Sequence, residues 1–231
     1  MMLGFCARSL LRSYGWNFLR HVAWRHPLRT LRAVVLWALR GQRALDPPRR
    51  TEDGRIALDD QTMVALGFCM KPLDPPCPAG RANHDCTYLE RGVSATACRG
   101  CPIGEAGRRV LAAGAPFYIM TSAQDILDDL FRPAIDEKRY RAGVFGLCRY
   151  SFDPFTVPLL IANMHGTLLP FEEGDCRDYP TWLRADEGDK EEQTCFLARH
   201  WSALLQSLPK AEDGAGRTTW RKQGNVLVPK A

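Results

Sequence analysis

Apolar positions recur along this chain with two different spacings, and the change between them divides the sequence. Over residues 5–22 and 27–40 they return every three or four places, the spacing of one face of an α-helix. In the second stretch Pro27 suits a first helical position and Gly41 a helix stop. Leu28, Leu31, Val35 and Leu39 share one face, and Arg25, Arg29 and Arg32 another. A short helical stretch is expected around Asp59 to Leu66. Residues 69–81 carry Pro72, Pro75, Pro76 and Pro78, which exclude both helix and sheet ladder there.

From Ala115 the pattern changes to that of alternating strands and helices. Phe117 to Met120 reads as a buried strand. Ser122, with Asp125 three places on, can cap a helix from Ala123 to Phe131 that Pro133 closes. Ala142 to Cys148 and Thr156 to Ala162 read as two further strands, which makes a βαβ-like core. Asp189 with Glu192 resembles a capping box ahead of the apolar face Phe196, Leu197, Trp201, Leu204, Leu205 and Leu208. Arg217 to Lys230 reads as a hairpin turning at Gly224-Asn225.

Composition adds that a core forms without staples: 231 residues, 45% apolar and 25% charged, match an ordinary globular domain. Charge is uneven. Residues 1–50 hold ten Arg, no Lys and the single acid Asp46, while the remainder is mildly acidic, so the overall +5 belongs to the N-terminal arm. Specific nucleic-acid binding is disfavoured, because a binding face would place its cations on the folded domain. A helix over 27–40 spans roughly 21 Å against a hydrocarbon core of about 30 Å and cannot cross a bilayer. With Trp16, Trp24 and Trp37 beside the arginines, it fits an anionic membrane surface. A helical hairpin packed on the domain, or an organelle-targeting presequence, fits the same residues. Ala44 to Arg55 reads as a linker, which leads to the expectation that residues 1–45 could be removed without unfolding the rest.

Five of the nine cysteines fall between Cys69 and Cys101. The total is odd and Arg8, Arg12 and Arg20 interrupt any secretory apolar stretch, so a reducing, cytoplasmic setting is expected, peripheral to the inner face of the membrane. Cys69, Cys77, Cys86, Cys98 and Cys101 are the candidate metal ligands. A Cys-x-x-Cys knuckle lets two thiolates reach one centre, and binding energy substitutes for the secondary structure that the prolines forbid. Cys98 and Cys101-Pro102 match part of a cluster-binding run, so an iron–sulfur cluster and zinc are both candidate cofactors; buried free thiols that merely pack are the alternative. His84 beside Cys86 reads as a polar loop residue more readily than as a ligand. Cys98 and Cys101 at a helix start also fit a thiol oxidoreductase dithiol.

The inferred strand ends provide a second set of candidates. Ligands of open α/β sheets bind outside the carboxyl ends of strands, so Ser122, Cys148, Arg149 and His165 are expected to line one cofactor-binding pocket. The acidic stretch Glu172, Glu173, Asp175, Cys176, Asp178 reads as a solvated loop, and Cys195 and His200 as helix packing residues. Phosphate-loop, dinucleotide-fold, zincin and nucleophile-elbow motifs do not occur in the sequence, so it supplies no reaction.

Pro76-Cys77-Pro78, the later Cys98-x-x-Cys101 followed by Ile103, the Thr121-Ser122 strand end and a strand holding Gly143, Gly146 and Cys148 together resemble an uncharacterised family of cysteine-rich, predicted metal-binding proteins of anaerobic bacteria and archaea. The resemblance covers roughly residues 65–180 and implies metal binding. Where that family places a third cysteine after its knuckle, this chain has Pro102-Ile103-Gly104.

The expected fold is a small, three-layer-like α/β (or α+β) domain with a Cys/Pro-rich metal loop and an N-terminal amphipathic helical arm. The divisions are a basic arm at 1–45, a linker at 46–58, the metal region at 59–114 and the α/β domain at 115–231. The expected function is a cysteine-rich metal-binding protein at the membrane surface, redox-active or accessory to an enzyme system, with a protein partner as the other occupant of its surface. A zinc-stabilised interaction module and a thiol oxidoreductase using Cys98 and Cys101 are the alternatives.

Overall fold

Four parallel strands form the centre: β1 (Thr62–Gly67), β2 (Phe117–Met120), β3 (Ala142–Leu147) and β4 (His165–Pro170). The computed structural model describes residues 2–9, 12–92, 95–210 and 220–229. Two further strands, β5 (Trp220–Gln223) and β6 (Val226–Pro229), form the expected hairpin, and β6 adds antiparallel to β2. Positions 217–219 and 230 of that hairpin lie outside the described residues. The order across the sheet is β4-β3-β1-β2-β6-β5.

The side-chain alternation of the strands sorts them onto two cores. Val64, Leu66, Phe117, Ile119 and Val144 face one layer, with α5 (Pro102–Ala112) and α10 (Ala198–Ser207) over them. Met63, Ala65, Tyr118, Met120 and Phe145 face the other, under α3 (Pro27–Arg40), α6 (Ala123–Ile126), α7 (Arg132–Asp136) and α8 (Phe152–Ala162). The result is a three-layer α/β domain. α5 lies close on β2 because Gly107 has no side chain; a Cβ there would stand 2.4 Å from Leu89 Cδ1 and 3.0 Å from the Phe117 ring.

Several elements differ from their sequence reading. The stretch read as helical around Asp59 to Leu66 is the central strand β1. Met63 to Leu66 are wholly buried, and a strand covered on both faces loses the alternation that marks strands. Thr156 to Ala162 is helix, not strand: it lies in α8, whose wide apolar surface is covered by the sheet and by α3, so a short apolar run carries no period. The strand there is β4, beginning at His165. Ser122 does form a capping box with Asp125, but Pro133 does not close the helix, which widens into a π turn at Leu127–Phe131 and continues as α7. The Asp189–Glu192 capping pattern starts no helix; α10 begins at Ala198, and the carbonyls of Lys190 and Glu192 instead accept from the Arg81 guanidinium.

The stretch read as one helix over 5–22 is divided into α1 (Met2–Ser9) and α2 (Ser13–Phe18), which follows an extended Arg12 and runs into a π turn at Leu19–Ala23; α3 forms as read, with Pro27 in its first turn and Gly41 at its end at φ 56°. They are packed on the domain. Val22 and Ala33 sit in the second core, Trp37 Nε1 donates to Asp153 Oδ1 at 3.2 Å and Asn17 Nδ2 to Gln124 Oε1 at 2.8 Å. The stretch read as a linker is tied down too: the Gly166 amide donates to Asp46 O and the Ile56 amide to Ser207 O, both at 2.8 Å. No described helix is long and apolar enough to cross a membrane.

Candidate functional site

Four of the five clustered cysteines converge although no regular element joins them. Cys77 sits in the proline loop, its amide bonded to Pro72 O at 3.1 Å. Cys86 immediately precedes the short helix α4 (Thr87–Arg91), Cys98 closes a tight turn, and Cys101 immediately precedes α5. All four, with Lys71, line one small cavity of about 10 Å³, the size of a single water. Two of the sulfurs are met by helix-start amides: Cys86 Sγ accepts from the Tyr88 and Leu89 amides, Cys101 Sγ from those of Ile103 and Gly104. Such donors favour negatively charged sulfur. Burial acts the other way, pushing the Cys86 thiol up to about 11 and Cys101 in the same direction. As they stand, the described residues contain no group of three or more His, Cys, Asp or Glu side chains that could hold a metal ion.

Lys71, which sequence reading passed over, is only 1% exposed. Its Nζ donates to Gly80 O at 3.2 Å, Asn83 O at 2.8 Å and Asn83 Oδ1 at 2.6 Å, all neutral oxygens. Asp85, a carboxylate whose charge also acts on Lys71, is paired with Lys222. Burial pulls the Lys71 ammonium below its ordinary value. His84 turns away from the cysteines: Nδ1 bonds Ile119 O at 2.7 Å, Nε2 lies 3.0 Å from Thr121 Oγ1, and the ring stacks on Tyr118.

Cys69 does not line this cavity. It follows β1 at the carboxyl edge of the sheet and lines a different pocket, together with Cys148, which follows β3, and Cys176, from the loop after β4. This is where the topology switches: α5 carries the β1–β2 connection over one face, while α6–α7 and α8 carry the next two over the other, which opens a crevice between β1 and β3. The pocket there has about 400 Å³ and is walled mainly by apolar side chains, with α1 and α2 as part of its lining through Phe5, Tyr14 and Phe18. Asp186 and Lys190 are its charged members.

Of the strand-end candidates, only Cys148 lines this pocket. Ser122 is spent on capping α6, and Arg149 is exposed outside it. His165 stands at the opposite edge, because it begins β4 rather than following a strand. There it lines a basic groove of about 760 Å³ with Arg29, Arg32, Arg49, Lys138 and Arg141. The loop read as solvated is anchored: Cys176 is buried, and Glu172 accepts from the Leu197 amide at 2.8 Å and pairs with His200 at 2.6 Å. Cys176 and Lys190 had no signal in the sequence, since only chain folding brings them to the ends of β1 and β3. Comparisons with protein families, with curated proteins and with solved structures find no match to this chain.

Proposed function

We propose that this chain is a metal–thiolate protein that works at an anionic membrane surface, with Cys77, Cys86, Cys98 and Cys101 as the ligands of one metal centre. The observation that carries the reading is Lys71, a buried ammonium that shares a cavity with four thiols and, among the described residues, hydrogen-bonds only to neutral oxygens, with the charge of Asp85 nearby but paired to Lys222. A buried cation needs a buried anion. Four thiolates around a metal carry net negative charge and supply it, and the amides aimed at Cys86 and Cys101 stabilise the same charge. Binding deprotonates the thiols and draws them together, so metal affinity is coupled to ordering of the proline loop.

The Cys98-x-x-Cys101-Pro102 run fits an iron–sulfur cluster. Zinc is the second reading, favoured by a cavity no larger than one water. When bound, a cluster supplies electron transfer and zinc a structural cross-link. Membrane attachment is supported by two features. Trp24, Leu28, Leu31 and Leu39 are exposed along the arm, and Arg29 and Arg32 stand at the basic groove beside that stripe.

Anaerobic purification followed by metal and sulfide analysis tests the centre. Iron with acid-labile sulfide and visible absorption identify a cluster; colourless protein with one zinc identifies the structural ion. Cys98→Ser or Cys101→Ser should release most of the metal and destabilise the loop, while Cys195→Ser should retain it. Metal-free protein whose Cys98 and Cys101 variants are as stable as the parent would overturn the reading.

A further inference from the structure

The carboxyl-edge pocket contains thiols that the proposed metal centre does not use. Cys148 and Cys176 are 28 residues apart in sequence and meet in space: the Cys176 amide donates to Cys148 Sγ at 3.2 Å, and the two thiols hydrogen-bond to each other. They are not joined by a disulfide. Lys190 hydrogen-bonds to Cys176 from the pocket wall, whereas the backbone at Cys69 is fixed by the Thr194 amide, which donates to Cys69 O at 3.0 Å. A sulfur that accepts from a neighbouring thiol and an ammonium is one that can carry charge.

We propose that Cys176 and Cys148 form a redox-active dithiol, with Cys176 as the attacking sulfur and Cys148 as the resolving one, acting on a small disulfide with an apolar body bound in this pocket. The switch-point crevice, its size of about 400 Å³ and its walls, among them Phe18, Met120, Phe131 and Phe171, define the ligand class. The Cys148 thiol, with a smaller contribution from the Lys190 ammonium, holds Cys176 below the ordinary thiol range against the opposing effect of burial, and the same shared proton keeps Cys148 protonated and raised. Burial pushes Cys69 up to about 11, which leaves it an inert thiol beside the pair.

The chemistry balances with the disulfide as oxidant. The Cys176 thiolate attacks one sulfur of R–S–S–R, the S–S bond breaks, and one RS⁻ leaves with the electron pair. That thiolate takes the Cys148 proton. Cys148 then attacks the Cys176 sulfur of the mixed disulfide and expels the second RS⁻. The products are a Cys148–Cys176 disulfide and two reduced thiols from the substrate, a two-electron exchange that needs no other reactant.

The test uses the full chain, one equivalent of 4,4′-dithiodipyridine as an aromatic disulfide, and site-resolved peptide mapping. The expected main product is the Cys148–Cys176 cross-link, formed with a rate ratio over glutathione disulfide at least roughly tenfold above the ratio that free cysteine shows for the same two reagents, which divides out their different leaving groups. Cys148→Ser should stop at a single adduct trapped on Cys176. Adducts on other cysteines with Cys148 and Cys176 unmodified in the parent chain overturn the dithiol, a result that needs no variant to fold. A rate ratio no greater than that of free cysteine overturns the apolar ligand class. Because the mapping reads positions 148 and 176 and the metal analysis reads 77, 86, 98 and 101, either conclusion can fail without the other.

Discussion

Asp186 shows how one residue connects the pocket to stability. Its carboxylate accepts from the Ala123 amide at 2.6 Å, but burial, with Asp125 and Glu187 nearby, pushes its pKa up from 3.8 to about 6. A carboxyl raised on folding favours the folded state most when protonated. That contribution is complete below about pH 4 and is lost as pH rises through about 6. Asp186→Asn keeps the acceptor and removes the charge. It should therefore raise the thermal midpoint at pH 7.5 by a few degrees, for a gain of up to about 3 kcal/mol, and change it little near pH 4. Equal effects at both pH values would assign the shift to packing instead. Lys71 and Cys176 belong to the same scale: each is an unremarkable letter in the sequence, and each acquires its buried polar surroundings from partners 12 and 28 residues away.

At the scale of the element, α3 keeps two faces apart. Ala33 is buried against the domain and Trp37 bonds Asp153, whereas Leu28 and Leu39, 81% and 77% exposed, point away from it. The apolar face legible from residue spacing is thus the outward one. Its exposure has a physical cost that a headgroup region would relieve, at up to about 1.5–3 kcal/mol for each leucine fully buried. The triple change Leu28→Ser, Leu31→Ser, Leu39→Ser should weaken binding to anionic phospholipid vesicles by well over roughly tenfold, with the thermal midpoint unchanged because none of the three packs on the core. Vesicle binding equal to that of the parent would remove the membrane from the proposal.

For the whole molecule, the arm both exposes an apolar stripe and covers a pocket. Val22 and Ala33 belong to the same core as Phe155 and Leu159, and Phe5, Tyr14 and Phe18 line the cavity in front of Cys148 and Cys176. Removal of residues 1–45 is therefore expected to do more than release the protein from a membrane. The truncated chain should unfold at least about 5 °C lower, and Cys176 should react faster with a charged reagent such as iodoacetate, because the apolar cover is gone. Unchanged stability after truncation would restore the sequence expectation of a separable arm.

Local chemistry determined what the sequence could decide by itself: the helix over 27–40 and its faces, the Ser122–Asp125 cap, the strand at Phe117 to Met120, the hairpin turn at Gly224, and a proline loop without helix or sheet ladder. Each rests on contacts within a few residues. Tertiary structure decided the rest. The central strand β1 and the helix α8 are apolar on all sides, so their periods vanish once both faces are covered. Cys69 parts from the other four clustered cysteines because β1, which it follows by two residues, delivers it to the sheet edge, while Cys77, Cys86, Cys98 and Cys101 are gathered by the loop and the starts of α4 and α5. Cys148 meets Cys176, and His165 stands at the far edge, for one reason: strand direction fixes which end of the sheet a residue occupies, and that direction is a property of the pairing between distant segments.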